Sequence, residues 1–248
     1  MKRLEGKTAV ITGGGTNGIG RAAAARLVDE GAYVFIMGRW EGELAEAVTA
    51  IGSGVTAIAG DITKPGDLDR LFAAVEARGR GLDILFANAG VATFAAIDDL
   101  TAEALNHVFS INVVGTMLTV QKSIPLLNRG GSVIINVSTS ADRGAPSMGA
   151  YAASKAALRS FTRTWGNELK DRGIRVNAIS PGPTDTSGVV ELVGADNIAY
   201  NSSLAAQLPI GRTARLEEMA GVVAFLASDD SSFMLGANVL VDGGVNQI

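Results

Sequence analysis

Cysteine is absent from the 248 residues and histidine occurs once. Together these absences exclude disulfides, thiol nucleophiles and any Cys/His zinc site, and with the last a zinc-dependent alcohol dehydrogenase. A histidine general base could only be His107, which reads as a surface or interface residue in a helical stretch. Basic stretches are missing too: Lys+Arg 21 against Asp+Glu 25 gives a net charge of −4, so nucleic acid is not an expected partner. No apolar run is long enough for a signal sequence or a membrane span, and the first, Thr8 to Thr12, follows a short charged start. A soluble, cytoplasmic protein is expected, with no metal. What remains is abundant apolar residue, 47% of the chain, and a mean hydropathy of +0.26, ample for a core and unlike a disordered chain.

Short β-branched runs alternate with longer helical patterns through the whole sequence. The runs Thr8–Thr12, Tyr33–Met37, Val55–Gly60, Asp83–Ala87, Ser132–Ser138, Ile174–Ser180 and Asn238–Val241 predict strands. Several are apolar at successive positions, as strands covered on both faces are. Between them Ile19–Glu30, Glu41–Ile51, Pro65–Ala77, Thr101–Leu127, Ala150–Asp171 and Arg215–Ala227 predict helices. Pro65 suits a first helical turn, where its missing N–H costs nothing. Such alternation means βαβ crossovers, hence one α/β domain over residues 1–248 with a doubly wound, seven-stranded parallel sheet and helices on both faces. The least regular stretch, from Pro181 to Arg212, is where a lid over a ligand is expected, within about 184–212.

Two local patterns carry chemistry. The strand Thr8–Thr12 runs through Gly13-Gly14-Gly15-Thr16-Asn17-Gly18-Ile19-Gly20 into a helix. A glycine-rich turn at a helix N-terminus offers backbone N–H groups to a phosphate, where the helix dipole also favours negative charge. The spacing fits both Gly13-x-Gly15-x-x-Gly18 and Gly14-x-x-x-Gly18-x-Gly20. In the second pattern, Tyr151-Ala152-Ala153-Ser154-Lys155 sets Tyr and Lys on one helix face, while Ser138 ends a strand thirteen residues earlier. Hydride delivery to a ketone leaves an alkoxide that needs a proton, and an ammonium near a phenol lowers its pKa toward useful values. Ser138 is suited to hold the carbonyl oxygen, and Asn112 to anchor a water relaying protons to Lys155.

With these residues in order, the chain resembles the short-chain dehydrogenase/reductase family from the first strand to the C-terminus. The glycine loop, Asp61-Ile62, Asn88-Ala89-Gly90, Asn112, the Ser138…Tyr151…Lys155 set, Pro181-Gly182 and the closing Val241-Asp242-Gly243-Gly244 all carry the likeness. The resemblance implies a Rossmann fold and a catalytic tetrad of Asn112, Ser138, Tyr151 and Lys155. It also implies that Gly14, Thr16, Asn17, Gly18, Ile19 and Gly20 hold the pyrophosphate end of a nicotinamide cofactor. Asp61 and Ile62 would meet the adenine, and Asn88, Ala89 and Gly90 the adenosine ribose and the sheet. Tyr151 and Lys155 would reach the nicotinamide ribose, and Pro181, Gly182, Thr184 and Thr186 the carboxamide. Three departures stand out. The glycine loop is one residue longer than the family pattern, which predicts a bulged turn. Ala87 stands where a second Asn is usual, and Thr184 where Ile or Val is usual.

Cofactor choice can be read at the end of the second strand. A preference for NAD places an acidic residue there, about 20 residues beyond the glycine loop. This chain has Gly38-Arg39, with room for an extra phosphate and a guanidinium to grip it, so NADP(H) is expected rather than NAD(H). The leading expectation is an oxidoreductase (an alcohol dehydrogenase, carbonyl reductase or ketoreductase) acting on a small-molecule ketone/alcohol pair. A 3-oxoacyl-[acyl-carrier-protein] reductase, docking its carrier through Arg129 and Arg172, is the alternative; a non-catalytic cofactor-binding regulator is a third. A homotetramer is expected from the resemblance and from apolar side chains on several faces of the long helices (Val113, Met117, Val120, Phe161, Trp165).

Overall fold

The computed structural model describes residues 2–186 and 203–248. Seven parallel strands form one sheet, β1 (Thr8–Thr12), β2 (Tyr33–Gly38), β3 (Val55–Ala59), β4 (Leu82–Ala87), β5 (Leu127–Asn136), β6 (Arg175–Pro181) and β7 (Asn238–Val241), in the order β3-β2-β1-β4-β5-β6-β7. The order reverses between β1 and β4, and open α/β sheets bind ligands beyond the carboxyl ends of strands at such a point.

The two-residue period of the strands splits their apolar side chains between two cores. Val10, Phe35, Met37, Leu85, Val133 and Ile135 face one side, where they pack with Leu68, Leu71, Val75, Val120 and Leu158. Those partners come from the helices α3 (Pro65–Ala77), α5 (Thr116–Ser123) and α6 (Gly149–Leu169). Ala9, Ile11, Val34, Ile36, Phe86 and Ile134 face the other side. They meet Ala23, Leu27, Leu44, Met219 and Val223 from α1 (Ile19–Asp29), α2 (Glu41–Ile51) and α7 (Leu216–Ala227). The chain is a single Rossmann-like α/β domain. Among the described residues no helix is long and apolar enough to cross a membrane.

Two predicted elements differ. The stretch Thr101–Leu127 is not one helix: α4 (Ala102–Phe109) passes through a π-helical turn, Ser110–Gly115, into α5, then a 3-10 turn at Ile124–Leu126. Pro125 accounts for the second break, because its ring cannot continue a helix interior. The first break carries Asn112 and is described below. β5 begins at Leu127, five residues before the predicted Ser132, because Leu127 pairs with Leu82 across a register shift before the regular ladder starts at Ile84 and Ser132. Asn128 holds that irregular start by donating to Arg80 O (3.0 Å) and Asp83 Oδ1 (3.2 Å).

Candidate active site

The glycine loop lies where β1 gives way to α1. The N–H groups of Gly13 and Gly14 both donate to Met37 O, at 2.8 and 3.1 Å, tying the loop to the end of β2. Thr12 Oγ1 accepts from the backbone of Asn88 (3.1 Å) and Ala89 (3.2 Å), tying it to the end of β4. The additional residue is taken up between Gly13, at φ +68°, and Gly18, the N-cap of α1. A Cβ on Gly20 would stand 2.3 Å from Gly13 O, so loop and helix pack with no slack. A Cβ on Gly18 would make only an ordinary contact, with Thr16 Oγ1 at 3.9 Å. The first turn of α1 holds no acidic residue. Room over an uncapped helix N-terminus suits a phosphate group.

At the end of β2, Gly38 abuts this loop: a Cβ there would lie 3.6 Å from Gly15 N, an ordinary contact. Arg39 is exposed, with its guanidinium 5.4 Å from the centre of the Trp40 ring. It forms no ion pair with Glu41 or Glu43 among the described residues. Asn17 is exposed at the loop tip. Asp61 Oδ1 is engaged by Thr63 N (2.9 Å) and Thr63 Oγ1 (2.8 Å), and Ile62 is buried against Gly115.

The second pattern gathers at the carboxyl ends of β4, β5 and β6. Ser138 lies two residues beyond β5, in extended conformation, where it caps the 3-10 turn Thr139–Asp142; its Oγ accepts from Ser140 N at 3.2 Å. Tyr151 and Lys155 sit one turn apart on α6, with Lys155 Nζ 5.6 Å from the Tyr151 ring centre. Lys155 is buried and donates to Asn136 O at 2.7 Å. A buried ammonium with one neutral acceptor loses hydration without a countercharge, and its pKa falls to about 8. Burial raises the Tyr151 phenol above its ordinary value, opposed by its hydrogen bond with Ser138. The lowering expected from Lys155 is not what this geometry gives without ligand: the ammonium is directed at the Asn136 carbonyl, and burial outweighs the Ser138 hydrogen bond.

Asn112 is brought to the same region, and its side chain is held there by three hydrogen bonds. Its Oδ1 accepts from Val91 N (2.8 Å), and its Nδ2 donates to Val91 O (2.9 Å) and Ser154 Oγ (3.0 Å). The side chain is fully engaged as a clamp, binding the π turn to the loop after β4 and to α6. Its main chain lies in the π turn, where the helical bonding changes register. Gly90 lies beside it: a Cβ there would be 3.1 Å from Asn112 Oδ1 and 3.5 Å from Lys155 Nζ.

Pro181 ends β6, and Gly182 packs so closely on β7 that a Cβ would stand 2.6 Å from Asp242 Cα. Thr184 Oγ1 donates to Gly182 O at 2.9 Å, and Thr186 lies two residues on. Most of the expected lid, residues 187–202, lies outside the described residues. The mouth is bounded on its described sides by the loops after β4 and β5, joined by Ala95 N to Ser147 O at 2.9 Å. Phe94 and Ile97 are exposed on the first loop, and Ser147 on the second has φ +64°. Arg129 and Arg172 lie at the amino end of β5 and just beyond α6, at the opposite end of the sheet from Ser138.

Three residues of the site escaped the sequence reading. Asn136 supplies the carbonyl for Lys155, Ser154 joins Tyr151 O to Asn112, and Asn246 donates to Thr139 O at 2.9 Å from the C-terminal turn. Ser154 was visible beside Lys155, and Asn136 as a lone amide ending an apolar strand; Asn246 gave no local signal.

Comparison with known proteins agrees with this geometry. Residues 14–246 match a family model described as enoyl-(acyl carrier protein) reductase. An oxidoreductase of Sarocladium schorii, asL5, is 45% identical, covering 100% of this chain and 99% of its own. A sorbitol dehydrogenase of Cereibacter sphaeroides is 38% identical over 98% of each chain. The solved structure of a short-chain dehydrogenase/reductase from Serratia marcescens superposes with a TM-score of 0.91 at 32% identity, over 98% of this chain and 99% of that one. A nicotinamide cofactor is implied, and the glycine cradle and the buried ammonium fit one. The chain belongs to the short-chain dehydrogenase/reductase family of oxidoreductases.

Proposed function

We propose that this enzyme interconverts a ketone and a secondary alcohol using NADP(H), with Tyr151 as the acid/base. The observation that carries the reading is the convergence of Ser138, Tyr151 and Lys155 at the strand ends beyond an open glycine cradle. The cofactor, when bound, supplies or accepts the hydride. Ser138 Oγ orients the carbonyl oxygen by hydrogen bond. Tyr151, held protonated at neutral pH by burial, gives its proton to that oxygen as the alkoxide forms. Lys155 keeps positive charge beside the phenolate so formed, and its remaining N–H groups are suited to ribose hydroxyls. A water on the Asn112 carbonyl would return the proton from solvent through Lys155. The oxyanion is thus met by two hydroxyl donors, from buried Ser138 and half-buried Tyr151, and donors held in place before the charge develops are what such a reaction needs.

The choice of NADP(H) rests on Gly38 and on Arg39, a cation without an ion-pair partner among the described residues, beside the room that Gly38 leaves. The described mouth is apolar, through Phe94, Ile97 and Met148, which favours a hydrophobic ketone. A carrier-linked substrate would need basic residues near that mouth, whereas Arg129 and Arg172 lie at the far end of the sheet. Assembly into a homotetramer is part of the reading. It is supported by exposed Val114 and by the half-buried Phe161–Trp165 stack on α6, 4.6 Å between ring centres. Val120, expected to face outward, is instead buried in the core. The test is oxidation of NADPH across a panel of ketones, β-ketoesters and carrier-linked β-ketoacyl groups. Turnover of simple apolar ketones supports the reading, and turnover of carrier-linked groups alone would replace it.

A further inference from the structure

We propose that Asn136 is a positioning residue that joins the two ends of the cofactor cleft, holding Lys155 with its main chain and the glycine loop, through Asn88, with its side chain. The inference rests on the reading of this cleft as a dinucleotide site. Asn136 is the last residue of β5, and its carbonyl is the acceptor for Lys155 Nζ at 2.7 Å. Its Nδ2 donates to Asn88 Oδ1 at 2.9 Å. Asn88 Nδ2 in turn donates to Thr12 O at 2.9 Å and Gly13 O at 3.2 Å.

A carboxamide has a donor end and an acceptor end of nearly the same shape, so only its partners decide which way it faces. With Asn136 donating to its oxygen, Asn88 must turn its NH2 group toward the two loop carbonyls. Reversed, it would set oxygen against two carbonyls and NH2 against NH2, in a half-buried site where lost hydrogen bonds are not recovered from water. The direction matters because Gly13 O occupies the place where a Cβ on Gly20 would be, 2.3 Å away. The Gly13 peptide cannot shift without moving the first turn of α1, the part of the loop suited to phosphate.

The amide of Asn136 also carries a cost. Its Oδ1 is buried with no hydrogen-bond partner among the described residues. A leucine at this position would bury no orphan acceptor, so the contribution of the amide lies in its donor.

The experiment compares Asn136→Leu, Asn88→Ala and the double variant by two readouts. The first is amide hydrogen exchange of residues 13–20 in the protein without added ligand; the second is the dissociation constant for NADPH from fluorescence titration. Asn136→Leu should speed exchange in the loop and weaken NADPH binding by about tenfold, as loss of one partly buried hydrogen bond does. Exchange in the central residues of β5 should be unchanged, and the fall in kcat/KM should appear more in KM for NADPH than in kcat, because the substitution removes the side-chain donor and keeps the main-chain carbonyl that holds Lys155. Because both residues act through one link, the double variant should be no worse than Asn88→Ala. Unchanged loop exchange in a folded Asn136→Leu protein, or additive effects in the double variant, would overturn the proposal. Asn136→Thr, whose β-branched side chain suits a strand, serves the same test if the leucine variant does not fold. A wild-type protein that bound neither NADPH nor NADH would defeat the dinucleotide reading alone; the exchange result would still judge the link.

Discussion

Lys155 shows how one buried side chain sets measurable behaviour. Its pKa in the fold, about 8, lies below the ordinary 10.5, so between these values the unfolded chain binds more protons than the native one. Stability then rises with pH through that window. The stability of the protein without ligand should therefore increase from pH 8 to about 10, and Lys155→Met should be more stable than wild type at pH 7 and lose that advantage as pH rises. Thermal melts across this range check it; parallel curves for the two proteins would contradict the burial argument. Tyr151 acts only at the upper edge of this window, where the unfolded phenol at its ordinary 10.0 begins to lose its proton while burial keeps the native one protonated, so melts between pH 8 and 9 report Lys155. Gly38 and Arg39 make a second prediction at this scale. A Cβ at Gly38 meets only ordinary contacts, the closest 3.4 Å from Leu44 Cδ2, so Gly38→Asp should fold. With Arg39→Ile it should reverse the ratio of kcat/KM for NADPH over NADH, by about a hundredfold or more if a bidentate phosphate contact is lost and a like charge introduced. A ratio unchanged in the double variant would place the 2′-phosphate elsewhere.

At the scale of elements, the strands were legible because their signal is short-range: β1, β2 and β7 match the apolar runs to within a residue at either end. The helix–π–helix break was not. Ser110-Ile111-Asn112-Val113-Val114-Gly115 continues the helical pattern, and what opens the π turn there is the clamp from Asn112 to Val91 and Ser154, made by residues 21 and 42 positions away. Asn246 was invisible for the same reason, its partner Thr139 lying 107 positions distant. The positions of the glycines, by contrast, were readable, and the structure now separates their roles. Gly20→Ala drives a Cβ into Gly13 O and should lower both the melting temperature and NADPH affinity. Gly18→Ala makes only an ordinary contact, so it should leave the melting temperature nearly unchanged while raising the dissociation constant for NADPH by about tenfold or more, because the methyl occupies the approach to the helix N-terminus. Melting curves and titrations on the pair test this; equal effects on stability would mean that the loop does not pack as described.

For the whole molecule, the two-sided core explains why 248 residues make one domain: both faces of the sheet are covered, and the ends of β1, β4, β5 and β6 are left to build a cleft. Apolar surface remains outside it. Val114, Phe233 and Leu235 are exposed, which predicts assembly with further copies of the chain. Light scattering should give a mass about four times the 25.4 kDa of the chain, and a monomer would refute it. The central claim, that the cleft reduces a carbonyl with Tyr151 as its proton donor, has a more direct test in Tyr151→Phe. The ring and its packing stay; only the hydroxyl goes. The account predicts that kcat for NADPH-dependent ketone reduction falls by about a hundredfold or more, the range of general acid catalysis, while the dissociation constant for NADPH changes by less than about threefold. A variant that kept more than about a tenth of the wild-type kcat would contradict it, because a lost proton donor costs more than that.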